Sequence, residues 1–387
     1  MDPFAPASLL VVLLLVALAP LATYLPLPVR FPCVVVELLL GIAAGPYGLG
    51  LLAPGPMLDA LSAVGMCMLF FMAGFELELD KLRGAPIGLA GRGWLGSLAL
   101  ALAASGLLWL TGLVQAPLLV GVALCTTAMG TLVPIMREAD EIQRPFGRFV
   151  LAAGAMGEFG PIVLVSLLAV RDSSEVLEIG LLVLYLAVML GAAYLALRVR
   201  PPRLVGVLQA TMHSASQLPV RLSILLLATL VLSASDLGLD FVLGAFGAGM
   251  ILALASRGPG GEPLRHKLDG LGFGFLVPIL FVSSGVRFHL GAFHNPQTVF
   301  RMGLFLGLFL VCRGLPAWLY RRHLDRSDRW ALALYSSTAL PLVVAISEIG
   351  LATGRMHTDN AAALVGAGML SVLVFPAVAG RLRRTSG

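Results

Sequence analysis

Apolar runs of about 20 residues, broken by short clusters of glycine, proline and arginine, recur along almost the whole chain. At about 1.5 Å rise per residue, each is long enough to cross a bilayer as a helix. The Gly/Pro and charge punctuation predicts helices near 7–25, 33–51, 58–79, 86–111, 116–136, 146–170, 176–198, 217–235, 239–256, 270–289, 297–320, 328–351 and 358–380. The stretch from Gln209 to Gln217 is too polar to insert and is expected at the interface. The pattern therefore predicts an all-α polytopic membrane protein with about 13 transmembrane helices. Composition agrees: 58% of the 387 residues are hydrophobic and 12% charged, against about 25% charged in soluble domains. In such a chain the net charge of +5 argues for no nucleic-acid partner; what matters is its distribution over the loops.

That distribution is one-sided. With the N-terminus outside, the loops facing inward hold 21 of the 26 basic residues and the outward loops four, Arg171, Arg287, Arg301 and Arg355. The bias alternates loop by loop, so it predicts N-outside, C-inside and an odd number of spans. The chain also repeats itself. Leu69–Glu76 (LFFMAGFE) resembles Leu280–Arg287 (LFVSSGVR), Ala123–Thr127 resembles Ala333–Ser337, and Glu37–Gly41 resembles Asp240–Gly244. The order is kept at offsets of 211, 210 and 203 residues. An offset of seven spans reverses direction, which predicts an inverted-topology repeat.

Ionisable residues inside the runs are few: Glu37, Glu158, Arg313 and Glu348. Glu158 is the mid-depth acid, set among Gly154, Gly157, Gly160 and Pro161 in the run from Arg148 to Val170. A charge at that depth costs at least about 2.5–3.5 kcal/mol on insertion scales. It marks an ion- or proton-binding carboxylate, or else a protonated acid bonded to a neighbouring helix. Arg313 is expected to meet one of the acids or to snorkel to the headgroups. Glu37 and Glu348 lie toward opposite faces and read as structural acids first. Two polar knots, Thr126-Thr127 through Thr131 with Pro134 and Ser336-Ser337-Thr338 with Pro341, occupy related positions in the two halves. Each hydroxyl could simply bond back to its own helix, but the symmetry favours two broken helices with half-helix ends near the midplane. Cys33, Cys67, Cys125 and Cys312 are scattered singly, the six histidines show no ligand spacing, and no nucleophile constellation points to an enzyme. No cofactor is expected, and no metal beyond a transported cation.

Four segments, Glu37–Pro46 (ELLLGIAAGP), Leu69–Asp80 (LFFMAGFELELD), Val277–Gly285 (VPILFVSSG) and Ala362–Gly368 (AALVGAG), together resemble the monovalent cation:proton antiporter superfamily, the sodium/hydrogen exchanger fold, over essentially the whole chain. The resemblance implies two discontinuous crossing helices at Thr126-Thr127 and Ser336-Ser337-Thr338, with Arg313 facing the ion site as charge partner. It places Gly157-Glu158 where relatives carry Asn-Asp or Asp-Asp: the first position is empty and the second has one extra methylene. His289 stands where relatives often have Asp. It further implies a first repeat at 1–170, a linking span at 171–202 and a second, inverted repeat at 203–387. No soluble domain is expected, in contrast to relatives that append a nucleotide-binding one. Spans 4–6 and 11–13 would form a moving core, and the others a dimerising scaffold in a bacterial inner membrane. The implied activity is exchange of Na⁺, K⁺ or Li⁺ for H⁺ on Glu158, one for one. The rivals are a cation channel, or an organic-anion/Na⁺ symporter of the same fold.

Overall fold

The computed structural model describes residues 6–23, 32–75, 85–129, 144–168, 216–237, 241–256 and 261–384, apart from 238 and 240 and with a few single residues between these stretches. All regular structure among them is helical: α1 (Pro6–Thr23), α2 (Cys33–Ala44), α3 (Pro56–Phe75), α4 (Ala85–Leu110), α5 (Pro117–Leu124), α6 (Pro145–Leu168), α7 (Leu218–Asp236), α8 (Phe241–Ala255), α9 (Gly261–Leu271), α10 (Val277–Arg287), α11 (Pro296–Gly314), α12 (Arg326–Ser336), α13 (Pro341–Ala352) and α14 (Thr358–Arg384). A π turn, Gly272–Leu276, joins α9 to α10, and a 3-10 segment, Leu315–Tyr320, extends α11. Eight helices among the described residues are long and apolar enough to cross a membrane, with shorter apolar ones at Ser8–Thr23, Cys33–Ala44 and Phe241–Ala255.

The hydropathy pattern finds these helices well and misplaces some ends. The run expected to continue from 33 to 51 stops at Ala44. Pro46 is the reason: the residue before a proline is pushed out of the helical region, and Gly45 is extended at φ −74°, ψ −177°. The span expected near 270 starts instead at Gly261, because α9, the π turn and α10 run on as one stretch. The seventh predicted span, 176–198, and the linking segment 171–202 lie almost wholly outside the described residues, as do Gly130, Thr131 and Pro134 of the first polar knot.

The chain divides into two compact units. One holds 58–78 and 162–280. Within it α3 and α8 approach until glycine is obligatory: a Cβ on Gly74 would run into the Phe246 carbonyl, and one on Gly249 into that of Phe71. The other unit holds 1–57, 79–161 and 281–387. There α2 and α10 meet in the same way, Gly41 against Val282 and Gly285, and Gly285 against Leu38 and Gly41. Under the repeat α2 corresponds to α8 and α3 to α10, so the two contacts are one contact made twice. Small residues permit such backbone approach where apolar helices have no hydrophobic force between them in lipid.

In the second of these units α4 packs along α5, and α11 and α12 pack along α14. One end is pinned by charge. Arg383, in the last turn of α14, pairs with Glu141 at 2.8 Å and with Asp328 at the start of α12. Its guanidinium also lies 3.8 Å from the centre of the Phe146 ring, which opens α6. Breaking a largely buried pair of this kind costs about 3–5 kcal/mol. Arg383 thus fixes the starts of α6 and α12, the two elements that carry the chemistry below, against the same helix.

Candidate functional site

Two helices stop short inside this unit and meet at their stops. The first break follows α5. Cys125 and Thr126 tighten into 3-10-type bonds to Val122 and Ala123, after which the backbone leaves the helical path. The second follows α12 and lasts until Pro341, which has no N–H and opens α13. Ala128 N–H donates to the Thr338 carbonyl at 2.7 Å, tying one break to the other. Ala339 is held from the opposite side, its N–H and carbonyl both bonded to the Ser371 hydroxyl of α14. The broken, crossing pair expected from the polar knots is present.

The third participant is α6, and the sequence explains how it joins. In a regular helix the Gly157 carbonyl would accept from the N–H four residues on. That residue is Pro161, which has none. The freed carbonyl accepts instead from Thr127 N–H of the first break, at 2.9 Å. One proline therefore docks α6 onto the crossing one residue before Glu158, whose side chain is half-buried.

Arg313 closes the arrangement. It lies near the end of α11, only 5% exposed, and does not snorkel. Nε donates to the Thr127 hydroxyl (3.1 Å) and the Ser336 carbonyl (3.3 Å), Nη2 to the Thr127 hydroxyl (2.7 Å) and the Ala153 carbonyl (3.0 Å), and Nη1 to the Ser97 hydroxyl (3.2 Å). The carboxylate expected beside it is not among these hydrogen-bond partners; hydroxyls and carbonyls hold it. The Thr127 hydroxyl in turn donates to the Ser336 carbonyl at 2.6 Å. One proton given and two accepted saturate a hydroxyl. Thr127 is thus fully engaged as the cradle of Arg313 in this conformation. The position expected to be empty at Gly157 is also filled: a Cβ there would strike Arg313 Nη2 and Thr127 Oγ1. The guanidinium occupies the place of the missing side chain.

The other expected residues divide. Thr126, Ser337 and Thr338 are buried, and each donates its hydroxyl proton to its own helix, at 2.8, 2.7 and 3.2 Å. Each oxygen can still accept. Ser336 contributes its carbonyl. Glu37 stands apart in α2, 4% exposed, accepting from the thiol of Cys33 at 3.3 Å. Glu348, on α13, accepts from Ser284 of α10 and pairs with Arg287 at 3.4 Å. His289 bonds Tyr47. Sequence reasoning missed Ser97, Ser371 and the Ala153 carbonyl. Ser97 and Ser371 each left a trace, as a hydroxyl within the long apolar run of α4 or α14.

The family model for the transmembrane sodium/hydrogen exchanger matches residues 11–382. YjbQ of Bacillus subtilis is 26% identical over 386 residues, 96% of this chain, and the chain spans only 62% of that relative's length. A protein of Enterococcus hirae named Na⁺/H⁺ antiporter is 23% identical over 365 residues, with 90% of each chain covered. Cation/H⁺ antiporter 18 of Arabidopsis thaliana is 25% identical over 319 residues, 76% of this chain and 38% of its own. Among solved structures, the sodium proton antiporter MjNhaP1 from Methanocaldococcus jannaschii superposes with a TM-score of 0.66 at 18% identity, covering 96% of both chains. That likeness speaks for the fold.

Proposed function

Because the chain belongs to the transmembrane sodium/hydrogen exchanger family, we propose that it exchanges a monovalent cation, Na⁺, K⁺ or Li⁺, for H⁺ across a bacterial inner membrane, with Glu158 as the shared site. The observation that carries this reading is the docking of α6: Pro161 frees the Gly157 carbonyl for Thr127, a bond that joins α6 to the crossing of two broken helices one residue before Glu158. A carboxylate binds a proton or a cation but not both. Exposing it to the two sides in turn couples the two gradients with no further chemistry. The hydroxyl and carbonyl oxygens of Thr126, Ser337 and Thr338 are the nearby neutral ligands; Thr127, through Arg313, positions them. Relatives named antiporters of Na⁺ or other cations support the substrate class, and the arginine bias supports an N-terminus outside and a C-terminus in the cytoplasm. Helices α4–α6 and α11–α14 would move against the remaining helices, with a second copy of the chain held by the latter.

The test is a pH-dye assay in everted vesicles, repeated with each cation. Glu158→Gln is expected to abolish cation-dependent proton movement while the protein inserts and accumulates normally; exchange near the wild-type rate would end the reading. Glu348 is already paired with Arg287, and a guanidinium does not surrender its proton. With Glu37 set apart in α2, Glu158 is then the sole titrating carrier at mid-depth, and exchange is electroneutral. In liposomes under a clamped potential of about 100 mV, worth about 2.3 kcal/mol per charge, the equilibrium Na⁺ gradient should not move. A shift would mean that a second acid, Glu37 first, joins the cycle.

A further inference from the structure

Beside Arg313, on the side away from Thr127, lies a small cleft whose polar lining is Trp94, Ser97, Arg313, Tyr320 and Ser336. Among the described residues its lining includes no carboxylate. Two of these groups, the Trp94 indole and the Arg313 guanidinium, can only donate. Trp94 is 8% exposed, and its indole N–H is buried with no hydrogen-bond partner among the described residues. An indole nitrogen donates and cannot accept. Nη1 of Arg313 gives one proton to Ser97 and keeps another. Ser97 has already given its own proton to the Gly93 carbonyl. Tyr320 and Ser336, 3% and 4% exposed, add hydroxyls that can turn a proton inward.

Such a lining is matched by a species that only accepts, and the fixed charge on it is positive. We propose that the cleft is a binding site for a small monovalent anion of halide size, held by Trp94 Nε1, Arg313 Nη1 and the hydroxyls of Tyr320 and Ser336. A buried guanidinium without a counter-charge is costly, and neutral hydroxyls and carbonyls supply the hydrogen bonds of Arg313 but not that charge. An anion in the cleft would supply that counter-charge. The anion would stay bound throughout the exchange cycle and is not its cargo.

The experiment reads Trp94 directly and does not depend on exchange. In the full chain carrying Trp109→Phe, Trp318→Phe and Trp330→Phe, Trp94 is the remaining tryptophan. Iodide should quench its emission to a plateau, and chloride should restore it competitively. Tyr320→Phe, which removes one hydroxyl from the lining, should raise the half-saturating iodide about tenfold. Quenching that stays linear in iodide, ignores chloride and is unchanged by Tyr320→Phe would mean that the cleft takes water alone. Should the triple substitution disturb folding, thermal unfolding of the wild type gives the same decision. Chloride in place of gluconate at constant ionic strength should raise its Tm and leave Tyr320→Phe little affected; no rise in the wild type overturns the site.

Discussion

The two breaks look alike in sequence, each a knot of small hydroxyl residues inside an apolar run, and they do opposite work. The first supplies donors: Thr127 N–H to Gly157, Ala128 N–H to Thr338, and the Thr127 hydroxyl to Ser336. The second supplies acceptors, the carbonyls of Ser336 and Thr338, while its own Ser337 and Thr338 hydroxyls bond back four residues along α12. Carbonyls at the end of a helix have no partner within it, so a helix stopping at Ser336 offers what the other break needs. The repeat preserves position and divides the roles. One hydroxyl among the five described, that of Thr127, carries the cross-links between elements.

If so, substitutions at matched positions should have unmatched effects. The largest is expected at Thr127. Thr127→Val keeps the shape but strands one N–H of Arg313 Nη2, leaves Nε only its longer bond to Ser336, and removes the Thr127 bond to the same carbonyl. The expected cost is about 2–3 kcal/mol, read as a roughly hundredfold fall in exchange rate in proteoliposomes, with Thr127→Ser close to wild type. Equal loss in the serine variant would mean that the methyl group, not the hydroxyl, matters. Next comes Gly157→Ala, which sets a Cβ against Arg313 and Thr127 and should destabilise by about 1–3 kcal/mol in thermal unfolding. Adding Arg313→Lys should recover part of that loss by withdrawing Nη2. The smallest effect belongs to Ser337→Ala. The Ala333 carbonyl keeps its bond from Ser337 N–H at 3.1 Å, so the change should stay within about 1 kcal/mol and alter apparent cation affinity only a few-fold. An effect at Ser337 as large as at Thr127 would abolish the distinction between the breaks and make Ser337 a direct cation ligand.

Much of this arrangement could be read from the chain. Runs of apolar residues located the helices, and hydroxyl knots followed by proline located both breaks. Pro161 announced that one carbonyl of α6 would lack its partner, though not which group would take it. The company of Arg313 was beyond reach. Its contacts come from Ser97, Thr127, Ala153 and Ser336, separated by up to 216 residues from the arginine they hold. Periodicity says which side chains lie inside, not which interior neighbours they find. Gly157 shows the cost of that gap. As sequence it is the absence of a ligand, whereas in the folded chain it makes room for a guanidinium. Charge arithmetic led to an acid beside Arg313 because it ignored how many lone pairs a cluster of hydroxyls and carbonyls can bring to one cation.

The clamp made by Arg383 also has a bearing on how the protein is made. Its partners Glu141 and Asp328 lie far upstream, at the start of α6 and of α12. Chains grow from the N-terminus, so the crossing helices are synthesised and inserted well before the residue that fastens their ends exists. Until the final turn of α14 leaves the ribosome, Glu141 and Asp328 lack the one cation that joins them. A chain broken off before Arg383 would carry both broken helices and still lack this fastening.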